Sequence, residues 1–222
     1  MNLTDLKPAS DFARIYGCKV CCYGPPGSGK TPLINTAPRP LLLATEPGLL
    51  SMRGSTVPTY LAETPSKIDG FFDWFFNSKE ATQFDTLGVD SGSEIAGIYL
   101  IDSLNKNKHG MKAYGEMAEA VEKHLRKLYF LANKHIYFIA KQEIITESNY
   151  KRPYFPGKYL PVQIPHLFDF ILNLAVHPVP GQGQVSAFRC KESFDMMARA
   201  RTGNLNEFEP PHLGNLFNKA MS

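Results

Sequence analysis

No stretch of this chain is apolar for long enough to cross a bilayer, so no membrane-spanning helix and no membrane partner are expected. Met1 to Ser10 mixes acidic and basic residues without an apolar core, which gives no expectation of a secretory signal. Charge of one sign is also missing. A net +3 over 222 residues is too small to argue for a nucleic-acid partner, and only local clustering of cations would do so. Cysteine is scarce: Cys18, Cys21, Cys22 and Cys190. Cys18-x-x-Cys21 has no second ligand pair at a spacing that completes a zinc site. Cys21 and Cys22 fall inside an apolar run and read as small buried thiols. Together these features lead to the expectation of a reducing cytoplasm. No internal repeat and no second domain are visible.

What is present is ordinary globular material, 43% hydrophobic and 20% charged, long enough at 222 residues for one α/β domain with a full core. One stretch organises it. Gly24-Pro25-Pro26-Gly27-Ser28-Gly29-Lys30-Thr31 fits G-x-x-x-x-G-K-[ST], the phosphate-binding P-loop. The apolar run Lys19 to Tyr23 before it reads as a strand, and a short helix ending near Ala37 is expected after it, the context the motif needs. Glycines let the backbone curl until several N–H groups converge on a phosphate, and a helix N-terminus adds partial positive charge. Lys30 is placed to reach the β- and γ-phosphates of ATP, and the Thr31 hydroxyl to ligate Mg²⁺. Pro32 is tolerated in a first helical turn. The alternative is a glycine-rich turn with a chance lysine.

Leu41 to Thr45 is a continuous apolar run, as expected of a strand buried on both faces of a parallel sheet. It ends in Glu46-Pro47-Gly48, and the carboxyl ends of strands in open α/β sheets are where ligands bind. Val57 to Leu61 reads as a short strand. Ile68, Phe71, Phe72, Phe75 and Phe76 recur at helical spacing over 66–78 and read as core packing. Phe84 to Ser91 reads as a weak strand ending at Asp90, interrupted by Asp85 and Gly88. A strand ending in aspartate downstream of a P-loop matches a Walker B element, whose carboxylate holds the hydrated Mg²⁺. Helical spacing resumes over 91–104. A basic loop, 105–112, carries Lys106, Lys108 and Lys112. A long helix follows over 113–133, its solvated face marked by the Glu119–Lys123 spacing. Ile136 to Ala140 reads as another buried strand, ending in Lys141-Gln142-Glu143.

Residues 144–166 show four prolines and no periodicity, and are expected to form a long loop. Lys151, Arg152, Tyr154, Phe155, Lys158 and Tyr159 interleave cations with rings there. That mixture suits single-stranded nucleic acid, whose backbone takes charge and whose bases take flat partners. A solvated loop anchored by its aromatics is the alternative. Phe168 to Val176 and Gln184 to Cys190 read as strands joined by a turn at 180–183. Met196 to Arg201 reads as a further strand, with Arg199 and Arg201 leaving one face. Pro210-Pro211 opens a last helix, through Ala220.

These residues resemble the core of the RecA-like ATPases, and more narrowly the phage Sak-type ATPases, core-only single-strand annealing proteins. The resemblance runs from about Lys19 to Ala220. It is carried by 23–31, by Leu42 to Gly48, by Val89-Asp90-Ser91, by Pro156-Gly157-Lys158 with Leu167-Phe168-Asp169, and by Ala198 to Gly203. Residues 1–18, mixed polar and apolar, read as an N-terminal lead-in arm, and the resemblance implies a single RecA-like P-loop NTPase domain, 19–222. The implied fold is α/β, with a mostly parallel central sheet flanked by helices and antiparallel strands towards the C-terminus. The resemblance also implies that Glu46 activates the attacking water, that Asp90 orients Mg²⁺, and that Gln142 senses the γ-phosphate and couples it to the loop beginning there. It implies that Arg199 and Arg201 reach the ATP of a neighbouring subunit in a homo-oligomeric ring or filament. Loops 105–113 and 143–162 match the family's two DNA-binding loops. The expected function is ATP-dependent annealing of single-stranded DNA in phage recombination, with a single-strand-binding protein as a further partner and the host cytoplasm as location. The interrupted Walker B, arginines where lysines are usual, and the absence of the extra domains of cellular recombinases depart from the pattern. Two other readings stay open: a small-molecule kinase using 143–162 as a lid, and a nucleotide-gated replication or packaging accessory without turnover.

Overall fold

Lys19 to Tyr23 forms strand β1, buried along its whole length. The computed structural model describes residues 6–107 and 109–222. After a short helix α1 (Ala9–Ile15) and β1 come β2 (Pro40–Ala44), β3 (Thr59–Leu61), β4 (Thr86–Asp90), β5 (His135–Ala140), β6 (Gln142–Ile145), β7 (Tyr150–Pro153) and β8 (Phe170–Val179). Last come β9 (Gly183–Arg189), β10 (Arg199–Ala200) and β11 (Phe208–Glu209). The main sheet runs β11-β9-β8-β1-β5-β4-β2-β3, with β10 beside β8. Its six strands from β3 to β8 are parallel, and β9, β10 and β11 are antiparallel. This is the expected mostly parallel sheet with antiparallel strands near the C-terminus. β6 and β7 form a separate two-stranded hairpin.

Residues alternate between two cores because strand side chains alternate between faces. Cys21 and Tyr23 of β1 enter the core under α2 (Pro65–Asn77), α3 (Gly92–Lys106) and α4 (Gly110–Tyr129). Val20 and Cys22 enter the opposite core, under the last helix, Leu213–Met221. Ile68, Phe71, Phe72 and Phe75 of α2 are buried, as their spacing requires, and Thr64 caps that helix at the Lys67 amide. All four cysteines are free and buried. Burial pushes the Cys18, Cys22 and Cys190 thiols up to about 12. Cys18 and Cys21 belong to different cores, so the C-x-x-C spacing is no ligand pair. No helix among the described residues is long and apolar enough to cross a membrane.

Several expected boundaries move. The segment after the P-loop is a 3-10 helix, Thr31–Thr36, ended by Ala37 in an extended conformation. The Thr36 hydroxyl bonds Leu33 O and the Asn35 amide bonds Pro32 O, so side chains take carbonyls that a longer helix would use. The basic loop 105–112 shrinks, because α3 reaches Lys106 and α4 begins at Gly110. Lys106 and Lys112 are therefore helical residues, and Lys108 lies outside the described residues. The expected long loop 144–166 is largely structured: the rest of the hairpin, a helical turn α5 (Leu160–Gln163), and a 3-10 turn, Ile164–Leu167. The expected strand 196–201 contracts to Arg199–Ala200. The last helix, α6, starts at Leu213 rather than at the prolines.

Candidate functional site

The P-loop joins the carboxyl end of β1 to the 3-10 helix. Gly27 and Gly29 sit at φ 76° and 87°, a left-handed conformation that side chains resist. Gly24 is required for another reason: a Cβ there would lie 2.1 Å from Leu174 O, where β8 passes the loop. The Lys30 ammonium folds back over the loop and donates to Gly24 O at 2.9 Å, Pro25 O at 2.8 Å and Ser28 Oγ at 3.2 Å. Burial pushes this lysine below its usual range. From behind, the buried Tyr137 hydroxyl of β5 donates to Lys30 O at 2.9 Å. A 3-10 turn of six residues aligns few peptide dipoles, so helix charge adds less here than the motif led one to expect. The loop amides and Lys30 carry the positive potential.

Asp90 ends β4, which lies between β2 and β5 in the sheet. It accepts a hydrogen bond from the Thr31 hydroxyl. Burial pushes its carboxyl up, opposed by the Thr31 bond and by Lys30 and Lys141, and reinforced by Glu46. The interruption of this strand has a packing cause. A Cβ on Gly88 would lie 2.8 Å from Ile34 Cδ1, so the glycine makes room for the 3-10 turn that follows the P-loop. Asp85 lies before the strand and forms a paired contact with Arg39.

Glu46 follows β2, and Gln142 follows β5 by two residues. Gly24, Lys30, Glu46, Asp90, Lys141 and Gln142 line one cleft of about 390 Å³. The structure thus brings together the P-loop, Asp90, Glu46 and Gln142. Gln142 Oε1 accepts from the fully buried Asn173 amide at 3.1 Å. Sequence reasoning missed Lys141, whose ammonium lies 3.3 Å from Glu46 and 2.5 Å from Glu94. It also missed Glu94 and Asn173. The available signal for Lys141 was the one that singled out Glu46, a charge just past the carboxyl end of a buried strand. Asn173, a polar residue inside a buried strand, gave a weaker one.

Arg199 and Arg201 lie elsewhere. Arg199 pairs with Ile171 near the start of β8, whereas the P-loop adjoins Leu174. Arg199 donates to Pro165 O and Phe168 O, and Arg201 to Asp169 Oδ1, His166 O and the Tyr129 hydroxyl. Both guanidiniums turn to one segment, 165–169, in keeping with their spacing. A larger cavity of about 490 Å³ lies there, beside Cys18, Tyr129 and Arg201, and holds no residue of the phosphate cleft.

Of the residues expected to meet nucleic acid, Phe155 is corrected. It is 2% exposed and packs on Phe138, so its ring is core and unavailable to a base. Lys106 pairs with Asp102, Lys112 with Glu116, Lys151 with Asp195 and Arg152 with Glu143. Tyr154 and Tyr159 keep partly exposed rings. Lys158 and Tyr159 line a groove against α4, with the Tyr159 hydroxyl on Glu122.

The donor set fits ATP and Mg²⁺. Lys30 and the glycine-curled loop suit phosphate oxygens. The hydroxyl of Thr31 and the carboxylate of Asp90 are the hard oxygens Mg²⁺ takes. Fold and site together define a P-loop nucleotide-binding protein of the α/β class. The AAA domain family model matches residues 17–202. The chain belongs to that family, and its class is that of the P-loop AAA-type ATPases. Among solved structures it is similar to the KaiC-like protein PH0186 from the hyperthermophilic archaeon Pyrococcus horikoshii OT3. Identity is 12%, over 78% of this chain and 77% of that one, at a TM-score of 0.44. No curated protein matches the chain.

Proposed function

We propose that the chain is a Mg²⁺-dependent, RecA-like ATPase that binds single-stranded DNA, assembles as a homo-oligomer with ATP between subunits, and promotes annealing in homologous recombination. The observation that carries the ATPase part of the reading is the shared cleft, where Lys30, the Thr31–Asp90 pair, Glu46 and Gln142 converge. The hairpin that begins at Gln142 supports coupling of that cleft to a second ligand.

Lys30 exchanges the Gly24 and Pro25 carbonyls for phosphate oxygens. Thr31 and Asp90 would hold Mg²⁺, which would supply charge neutralisation at the phosphates. Glu46 accepts the proton of the attacking water. Gln142, whose Oε1 accepts from Asn173, reports the occupant to β6. Arg199 and Arg201 act on the neighbouring subunit's nucleotide, where a cation stabilises the charge of phosphoryl transfer; this requires them to leave carbonyls of 165–169. Tyr154, Tyr159 and Lys158 offer rings and a cation to the DNA.

The test is ATP turnover with and without an oligonucleotide, at low and raised salt, together with annealing of complementary strands. Expected are DNA-stimulated turnover and binding that weakens with salt, since phosphate contacts release counterions. Glu46→Gln should keep ATP binding and lose most turnover; unchanged turnover removes Glu46 from the base role. Failure to bind any oligonucleotide at low salt with ATP and Mg²⁺ overturns the DNA reading. Phosphate transfer to a nucleotide acceptor would instead mark a kinase, and binding without turnover a gated accessory.

A further inference from the structure

The cap of α3 is only half closed. Ser91 is its N-cap, and the Ser91 hydroxyl accepts from the Glu94 amide at 3.2 Å. In a full capping box the glutamate carboxylate returns to the N-cap amide. Here the Ser91 amide donates to Thr45 Oγ1 at 3.1 Å instead. Glu94 is thereby released from the cap, and its Oε2 takes the Lys141 ammonium at 2.5 Å. The Lys141 backbone is fixed as well. Its amide donates to Ser93 Oγ at 2.9 Å, and its carbonyl accepts from the Tyr154 amide at 2.8 Å. The Ser93 hydroxyl in turn donates to Tyr154 O at 2.6 Å.

A lysine held at both ends in this way places its ammonium 3.3 Å from Glu46 Oε1. Among the described residues this is the one ion pair of Glu46, whose side chain is 49% exposed on the corner after β2. Burial works against the Lys141 charge, but the Glu94 hydrogen bond and the Glu46 charge outweigh it and hold the group above the usual lysine range.

We propose that Lys141 is a positioning residue, anchored by Glu94, that fixes the direction of the Glu46 carboxylate in the cleft. This rests on the reading of Glu46 as the base. A carboxylate on an exposed corner samples several rotamers, and an anchored cation restricts it to those facing the cleft. The anchoring acid lies in the first turn of α3 and the cation at the end of β5. The geometry of the base is thus set by two elements other than the one that carries it.

The test is steady-state turnover of Lys141→Met and Glu94→Gln, with ATP-analogue and ADP affinities and melting midpoints measured alongside. Lys141→Met should lower kcat roughly 10-fold or more and leave both affinities within about 2-fold, because the loss falls on orientation. Glu94→Gln should give a smaller loss of the same kind, and Lys141→Arg should restore part of the rate. A parallel loss of ATP-analogue affinity would make Lys141 a phosphate ligand and overturn the proposal. A rate that falls only with the melting midpoint would assign a structural role and overturn it too, as would unchanged kcat. Absence of turnover in the wild type, or normal turnover in Glu46→Gln, would refute the base reading itself and this proposal with it.

Discussion

Gly88→Ala places a methyl group where β4 has no room. Its Cβ would lie 2.8 Å from Ile34 Cδ1 and 3.1 Å from both Ile34 Cγ1 and Leu42 Cδ1. Ordinary contacts of this kind begin near 3.4 Å. The strand cannot yield, because β2 and β5 hold it on both edges, and Ile34 is fully buried. Such overpacking costs roughly 1–3 kcal/mol, or about 2–12 °C in melting midpoint for a chain of this size. Ile34→Val removes the nearest atom and alone costs about 0.5–1.5 kcal/mol. The double variant should therefore be more stable than the sum of the single changes predicts, by about 1 kcal/mol or more. Because Ile34 belongs to the turn that follows Lys30 and Thr31, Gly88→Ala should also weaken binding of a fluorescent ATP analogue, and Ile34→Val should restore it. Denaturant titration and analogue binding on the four proteins measure both effects. Additive stabilities, or a Gly88→Ala variant that binds and melts like the parent, would refute the packing account of the interrupted strand.

Three further outcomes are expected. The His135 ring stacks on Phe217 at 4.3 Å and accepts the Cys18 amide on Nδ1. Burial, helped by Lys19, pushes it down to about 4. Below about pH 6.5 the unfolded chain binds a proton that the folded chain refuses, so stability is full above that pH. It falls towards pH 4 by at most about 3 kcal/mol. His135→Asn keeps the acceptor and should flatten that slope in a denaturant series; an unchanged slope would clear His135. Phe155→Ala should cost about 3–5 kcal/mol and leave the oligonucleotide affinity of the folded protein unchanged. Lost DNA binding at a normal melting midpoint would return the ring to the nucleic-acid surface. Arg199→Met strips a donor from Pro165 O and Phe168 O and should cost about 1–3 kcal/mol. Under the trans-cation reading turnover falls further than nucleotide affinity, and equal losses would confine the arginine to holding 165–169.

The parallel sheet was legible because β1, β2 and β5 are short apolar runs with few other foldings open to them. Glu46 and Asp90 were legible because a strand end beside a P-loop is a place with a chemical meaning. Lys141 shares that strand-end signal, but its pairing with Glu94, 47 residues away in sequence, leaves no local trace. The hairpin β6–β7 was hidden because its turn uses Asn149 at φ 51° rather than a glycine, and its polar strands have no alternation to read. Phe155 misled because an aromatic among cations has the same composition whether it faces a base or the core. Lys151 near it finds its acid, Asp195, 44 residues along the chain, and no local pattern records that. The 3-10 turn after Thr31 followed from short-range competition by Thr36 and Asn35, which the motif does not encode.

The four thiols make the sheet its own reporter. Cys21 and Cys22 are about 1% exposed or less, on opposite faces of the strand that delivers the P-loop. A thiol reagent reaches either one only after β1 has parted from a core, since exposure and thiolate formation both require it. The rate of alkylation then counts openings of the strand beneath the phosphate cleft. A nucleotide that binds only the closed strand should slow that count in proportion to its occupancy.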